Sequence, residues 1–369
     1  MRILLLATNY KSIAVKMIVR SLKKLCVEYD ILNPSQLFLL ISNQSTGRNQ
    51  VFDDYTGSTI KRIDLDQYDI IIPRIGRDVD FSSEVLKYLE DVFKMKTLQS
   101  SEAISNAYSK IRTSILLRAN GLRTPKTIYV NHLKNVDTVL NKLSKDQKFV
   151  IKLDKGSQGK QVSIVTGIAE TKSVLDTLDS MNQQLIIQEY IDSNGTDIRA
   201  IVVGDEVVAA YKRKSSGKEL RANISTGGEG HKVTLTEDEK AFCVQCAKAV
   251  GLDFAGVDFI QSKDGTIYCI EVNHCPGMNV QKFTSNNIME EVVMLALKLA
   301  ENPSETAFSK LDVPDLLKTY NATFNHPDFI RLYEKLKGKV VQTKDAGVQS
   351  VIRTKADLQK LLITQLVIR

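Results

Sequence analysis

The chain has 369 residues, 43% apolar and 25% charged, with a formal charge of +7. That balance is ordinary for a globular protein, the length suits two or three domains, and no apolar run approaches the roughly 20 residues of a membrane-spanning helix. The cysteines, five in all and scattered, speak against a disulfide framework and for a reducing, cytoplasmic setting.

Residues 1–95 alternate strand-like and helix-like runs. Residues 3–7 read as a buried parallel strand rather than a signal peptide, because the apolar core is short and polar residues follow at once. Helical spacing over 12–24, a strand over 29–32, an apolar strand over 68–74 and a helix over 81–95 predict an α/β layer with a mostly parallel sheet. It lacks Gly-x-Gly-x-x-Gly, so a dinucleotide site is not supported. A helix is expected over 101–120, stopped by Gly121. Strands follow at 127–130, 149–153, 161–165 and 185–191, then a hairpin of 198–203 and 207–212. Thr236 and Glu239 form a capping box opening a helix that ends at Gly251. Strands at 255–260 and 270–273, a helix over 288–299 and a Pro-bearing linker at 301–305 complete the series.

Two late strands carry the chemistry. Side chains two apart share a face of a strand, so Glu271 and Asn273 point one way while Ile270 and Val272 point to a core. Asp258 is the polar residue between Val257 and Phe259 on the preceding strand. Asp258, Glu271 and Asn273 form an all-oxygen set suited to Mg²⁺ or Mn²⁺ held with nucleotide phosphates. A hairpin with one solvated face is the alternative from these strands alone. Upstream, the loop containing Gly156, Ser157, Gln158 and Gly159 is either a phosphate cradle or a plain hairpin loop; it is not followed by the helix-opening Gly-Lys-Ser/Thr of a Walker loop. Lys152, on the strand leading in, faces opposite to Ile151 and Leu153 and would need an anionic partner if buried. Lys110 is a second candidate; either lysine could instead be solvated. Gln188-Glu189-Tyr190 lie on an apolar segment suited to an adenine, Asp197 and Arg199 share a strand face, and Arg213 and Arg221 flank a Gly-bearing loop where arginines could clamp a transferring phosphate.

Together these residues resemble the ATP-grasp superfamily, and within it the RimK-type amino-acid ligases, over about residues 1–300. The similar segments are Ile72-Pro73-Arg74-Ile75-Gly76, Ala107-Tyr108-Ser109-Lys110-Ile111-Arg112, Val150-Ile151-Lys152-Leu153, Gly156-Ser157-Gln158-Gly159, Gln188-Glu189-Tyr190-Ile191, Asp197-Ile198-Arg199, Arg221-Ala222-Asn223, Ala255-Gly256-Val257-Asp258 and Glu271-Val272-Asn273. The resemblance implies an α/β ATP-grasp architecture: an N-terminal domain over 1–95, a first ATP-grasp subdomain over 96–185, a second over 186–304 and an extension over 305–369. It implies that Lys110 and Lys152 contact ATP phosphates. Glu189, Tyr190 and Ile191 would hold adenine and ribose with Asp197 beside them, and Arg221, Ala222 and Asn223 would lie near the phosphates. Asp258, Glu271 and Asn273 would bind two Mg²⁺ or Mn²⁺ ions, with Arg213 and Arg221 steadying an acyl phosphate.

The activity implied is an ATP-dependent carboxylate–amine ligase that adds glutamate or a similar amino acid to the C-terminus of a protein or peptide. The family's best-known acceptor is a small-subunit ribosomal protein. A homo-oligomer is expected. The alternatives are a ligase that closes side-chain amides or esters in a peptide, and a non-catalytic nucleotide-binding or interaction module.

His274-Cys275 depart from the family's small residues at this place. They are expected to pack or line the site, with His274 as a proton acceptor the less favoured reading, and they mark the place to seek substrate choice. Cys243 and Cys246 form Cys-x-x-Cys on a helix, where core packing is favoured over zinc. His231 is expected in a solvated loop. From 309 to 369, 11 Lys and Arg face 6 Asp and Glu; this tail lacks a dense basic run or an aromatic-basic RNA signature, so direct nucleic-acid binding is not expected. Its residues 339–353 and 361–368 loosely echo 149–165 and 185–191. That leaves a partial repeat or, the favoured reading, an unrelated appendage.

Overall fold

A computed structural model describes residues 1–42, 50–53, 60–130, 136–154, 162–179, 184–214, 229–301, 340–342 and 349–351. The chain divides into two units, Met1–Glu301 and Asn302–Arg369.

The first unit opens with β1 (Arg2–Ala7), α1 (Ile13–Lys24) and β2 (Glu28–Leu32), then a small antiparallel sheet of β3 (Leu37–Leu40), β4 (Gln50–Asp53) and β5 (Lys61–Arg62), then β6 (Ile70–Arg74) and α2 (Val79–Asp91). β1 lies between β2 and β6, parallel to both. Its central residues are buried on both faces, the reason it reads as an unbroken apolar run. Ile3, Leu5 and Ala7 pack with Ala14, Val15, Ile18 and Leu22 of α1. Leu4 and Leu6 pack on the other side with Val85, Leu86 and Leu89 of α2. Ser12 caps α1, its Oγ accepting from Val15 N at 3.3 Å.

The expected single helix over 101–120 is two: α3 (Ser101–Tyr108) and α4 (Lys110–Ala119). Ser109 between them is extended, with ψ 116°. The break follows from capping: Ser109 Oγ accepts from Arg112 N at 3.3 Å, and the Asp154 carboxylate takes Ile111 N at 2.9 Å. Two of the donors orphaned at a helix start are thereby satisfied, with negative charge at the positive end of the dipole.

A four-stranded antiparallel sheet follows from β7 (Thr127–Val130), β8 (Lys148–Leu153), β9 (Val162–Thr166) and β10 (Leu185–Glu189), in the order β7-β10-β8-β9. Helices α5 (Val136–Leu143) and α6 (Ile168–Asp179) cover one face, where Phe149, Ile151, Leu153, Leu185 and Ile187 meet Leu140 and Leu175. Val150 and Lys152 therefore point to the opposite face.

The second antiparallel sheet comprises β11 (Thr196–Val203), β12 (Glu206–Lys214), β13 (Glu229–Lys232), β14 (Phe254–Gln261) and β15 (Ile267–Asn273), ordered β13-β12-β11-β14-β15. Helix α7 (Glu237–Val250) covers one face, packing Cys243, Cys246, Ala247 and Val250 against Ala200, Val202, Val257, Phe259 and Val272. It starts at the expected capping box and ends at Gly251 in the left-handed region. On the other face, α8 (Ile288–Glu301) places Val292, Val293 and Ala296 over Ile201, Val203 and Phe254. α8 stops short of the end of β11 and β12 that holds Asp197 and Arg213.

In the second unit, β16 (Val340–Gln342) and β17 (Gln349–Val351) pair antiparallel. The remainder of the suspected repeat, including 361–368, lies outside the described residues, as do 302–305 of the linker expected at 301–305, whose first residue, Glu301, closes α8 instead.

Candidate active site

On the first antiparallel sheet, the site begins where β8 ends. Asp154 is buried and accepts from Ser109 Oγ at 3.1 and 3.0 Å, while its carbonyl accepts from Lys110 Nζ at 3.0 Å. The start of α4 is thereby fastened to the end of β8, one residue before the glycine-bearing loop. Gly156, Ser157, Gln158 and Gly159 lie outside the described residues. Lys152 is half-buried on the open face, paired in register with Ile186 of β10. Burial pushes its ammonium below the ordinary lysine value; Glu271 and Asp258 oppose that shift and Lys110 adds to it. The lysine thus lies within electrostatic reach of both late carboxylates, so the open face of β8 and the polar residues of β14 and β15 bound one candidate cleft.

β10 ends at Glu189, two residues before the expected end. Buried Gln188 donates from Nε2 to Thr127 Oγ1 at 2.9 Å, while its Oε1 is buried with no donor among the described residues. A buried amide oxygen without a partner is costly and fits a ligand N–H such as the amino group of adenine. The Glu189 side chain turns to the strand edge, accepting from Lys126 N at 2.8 Å with Lys126 Nζ 3.6 Å away. Tyr190 lies under Lys148 Nζ, 3.7 Å from the ring centroid. Ile191 is half-buried beside it.

On the second sheet the register lines up the polar residues. Arg199 stands opposite Asp258, Asp258 opposite Glu271, Gly256 opposite Asn273, and Asp197 opposite Arg213. A bulge between Asp258 and Phe259 shifts the pairing by one residue, so Glu271 shares the face of Asp258 while Cys269 falls to the core side. Arg199 grips Asp258 through Nε–Oδ1 and Nη2–Oδ2, both at 2.5 Å. Arg213 Nη2 lies 3.0 Å from Asp258 Oδ2, and its Nε and Nη2 bond Asp197 at 2.5 and 2.7 Å. Two guanidinium groups thus face two carboxylates in a buried chain. Burial alone would raise the Asp258 carboxyl, but Arg199 and Arg213 outweigh it and hold it below the usual range. Burial also acts against the Arg213 cation, and Asp258 and Asp197 reverse it.

Among the described residues, no three His, Cys, Asp or Glu side chains gather as a metal cage. The donor set is two carboxylates and an amide: Asp258, half-buried Glu271 and Asn273, whose Nδ2 donates to Gly256 O at 3.4 Å. That set fits Mg²⁺, which keeps several waters and takes one or two carboxylates together with substrate phosphates.

Of the expected residues, Lys110, Lys152, Asp197, Arg213, Asp258, Glu271 and Asn273 come together around this cleft. Arg213, expected to steady an acyl phosphate, and Asp197, expected beside the ribose, are bonded to one another. Arg221, Ala222 and Asn223 lie outside the described residues. The sequence assigns no role in the site to Asp154, Ser109 or Arg199, although Ser109 and Arg199 fall within the similar segments. Their signal is strand register and a helix break, neither visible in spacing along one strand.

The residues expected to mark substrate choice pack the turn after β15 against the end of β6. His274 is buried, its Nε2 2.9 Å from Ile75 O, and Cys275 Sγ lies 3.3 Å from where a Cβ on Gly76 would stand. A Cβ on Gly256 would come within 2.8 Å of Pro276 Cβ, so only glycine admits this turn against β14. Cys243 and Cys246 are fully buried core residues, with burial raising the Cys243 thiol well above its ordinary value. His231, expected in a loop, is exposed on β13 opposite Lys212.

A family model for the RimK-like ATP-grasp domain matches residues 107–296. A probable alpha-L-glutamate ligase of Legionella pneumophila is 33% identical over 304 residues, covering 82% of this chain and 97% of that protein. One of Syntrophotalea carbinolica is 31% identical over 265 residues, covering 71% and 84%. Among solved structures, the ATP-grasp ligase PsnB complexed with minimal precursor, Mg and ADP superposes with a TM-score of 0.59 at 16% identity, over 82% of this chain and 98% of that one. The macrocyclase MdnC of Microcystis aeruginosa bound with precursor peptide MdnA gives 0.57 at 14%, over 81% and 100%. The solved structures share the fold; the curated relatives and the family model share the sequence, and on that ground the chain belongs to the RimK-like ATP-grasp family.

Proposed function

We propose that this protein is an ATP-dependent carboxylate–amine ligase that joins glutamate, or a similar amino acid, to the C-terminus of a protein or peptide. The observation that carries it is the opposed set of charges: Lys152 on β8 and Lys110 at the start of α4, tied to the end of β8 through Asp154, act with Asp258 and Glu271 of the second antiparallel sheet. A polyanionic nucleotide needs cations on one side and metal ligands on the other, and here both converge. Lys110 and Lys152 bind phosphate oxygens. Gln188 Oε1 and the backbone after Glu189 face the adenine. Asp258, Glu271 and Asn273 hold Mg²⁺ or Mn²⁺, two ions in all, which would supply charge neutralisation at the transferring phosphate.

The carboxylate oxygen attacks the γ-phosphorus and ADP leaves, giving an acyl phosphate. The free amine then attacks the acyl carbon; phosphate departs, one proton is released and an amide remains. Water must be kept away from the acyl phosphate. The names of the Legionella and Syntrophotalea relatives favour glutamate as donor. A ribosomal protein is one candidate acceptor, and a homo-oligomer in a cytoplasmic setting is the working state.

A second reading, a ligase that closes side-chain amides or esters within a peptide, draws on the fold shared with PsnB and MdnC, which were solved with precursor peptides. ADP release separates the readings. The first predicts release that needs both a free amino acid and an acceptor with a free C-terminal carboxyl; the second predicts release with a peptide alone. No release under either condition would leave only a non-catalytic module.

A further inference from the structure

Outside the nucleotide cleft, the least satisfied charged group among the described residues is Arg74, the last residue of β6. It is 6% exposed. Its Nη2 donates to Pro276 O at 3.0 Å, and its Cζ lies 5.2 Å from the Phe254 ring centroid. Nε and Nη1 are buried and meet no acceptor among the described residues. No carboxylate pairs with it among the described residues. A ring face offsets a buried cation only in part, so the guanidinium is an anion receptor without its anion.

Its position supports the same reading. α1 leaves β1 on one face of the parallel sheet and α2 leaves β6 on the other. The carboxyl ends of β1 and β6 therefore form the crevice where the winding reverses, the place where ligands bind in open α/β sheets. The rim is locked by Thr8, whose Oγ1 accepts from Gly76 N at 3.0 Å and Arg77 N at 3.1 Å. Arg74 also abuts the turn that follows Asn273, so it stands beside the proposed metal strand.

A second orphan lies against that turn. Gln99 Nε2 donates to His274 O at 3.2 Å, while Gln99 Oε1 is buried without a donor among the described residues. One group offers Nε–H and Nη1–H on two different edges of the guanidinium, and the Nη2 hydrogen not spent on Pro276 O completes a fork with one of them that matches a planar carboxylate; the other offers an acceptor for an N–H. An amino acid or a peptide terminus carries both complements.

We infer that Arg74 binds a substrate carboxylate and that Gln99 accepts from the neighbouring substrate nitrogen, forming a recognition pocket beside the metal strand. The inference rests on the ligase reading. Two sources share this chemistry: the free amino acid, and the C-terminus of the peptide acceptor.

Steady-state ADP release by the full chain tests it, with L-glutamate and a peptide bearing a free C-terminal carboxyl as separately varied substrates. Arg74→Met and Arg74→Lys are expected to raise KM for one of the two about 10- to 100-fold, with KM for ATP near the wild-type value. A rise for glutamate identifies the amino-acid head as the ligand; a rise for the peptide identifies the acceptor terminus. Added guanidinium ion is expected to restore part of the Arg74→Met turnover. Wild-type KM for both substrates in Arg74→Lys, which keeps the buried charge if Arg74→Met does not fold, would overturn the inference. If the wild-type chain releases no ADP, the ligase reading has failed; the pocket is then tested by thermal shift. Stabilisation of the wild type, but not of Arg74→Lys, by glutamate or the peptide upholds it, and stabilisation of both or neither overturns it.

Discussion

Asp258 and Glu271 face each other in register, but their neighbours give them different parts. Asp258 is held by two guanidinium groups, so removing it strands buried positive charge. Asp258→Ala is expected to destabilise the fold by about 3–5 kcal/mol as well as abolish turnover, measured by urea unfolding and ADP release. Glu271 has no arginine partner among the described residues and is half-buried. Glu271→Gln is therefore the cleaner probe of the metal assignment: stability within about 1 kcal/mol of wild type and kcat lower by about 10²–10³. Wild-type, Mg²⁺-dependent turnover in this variant would remove Glu271 from the metal site. His274 makes a pH prediction. Burial pushes its imidazole down to about 4 from an ordinary 6.5, so as pH falls the unfolded chain takes the proton first. The stabilisation is complete above pH 6.5 and is lost as pH falls through about 4, a loss approaching about 3 kcal/mol. His274→Gln is expected to show a smaller fall in melting temperature over that window; an unchanged profile would contradict the assignment.

At the scale of elements, what could be read from sequence was what is local. The Thr236–Glu239 capping box and the Gly251 stop need only neighbouring residues, and both stand as expected, with Glu239 N to Thr236 Oγ1 at 3.2 Å and Gly251 at φ 88°. Thr236→Ala is expected to cost about 1 kcal/mol by thermal or chemical unfolding. Gly251→Ala is expected to cost about as much or more, because the left-handed backbone penalises a side chain and its Cβ would stand 3.3 Å from Ala103 Cβ. The break between α3 and α4 was not legible, since it depends on Asp154, 45 residues further on. The same holds for Arg199. Alternation placed it on the face of Asp197, but only the pairing of β11 with β14 brings it onto Asp258. The polar face of β15 was legible as Glu271 and Asn273, whereas the bulge that sends Cys269 to the core was not.

For the whole molecule, the described part of the candidate site lies within Met1–Glu301, the larger of the two units. A chain ending at Glu301 is expected to fold and to keep ATP-dependent turnover; its loss would give 302–369 a part in catalysis. The turn over 274–276 joins the parallel sheet to the metal strand through Ile75, Gly76 and Arg74. His274 and Cys275 pack there against Ile75 and Gly76, and the proposed substrate recognition lies beside them, at Arg74 and Gln99. The central claim is that this assembly joins an amino acid to a carboxyl group at the expense of ATP. Mass spectrometry of acceptors in a cell extract, incubated with the protein, ATP, Mg²⁺ and glutamate, tests it most directly. The account predicts an acceptor whose C-terminal mass grows by whole glutamate residues, with one ADP formed per residue and no growth with Glu271→Gln. An acceptor pool unchanged in mass, with no ADP formed above that of the variant, would contradict it.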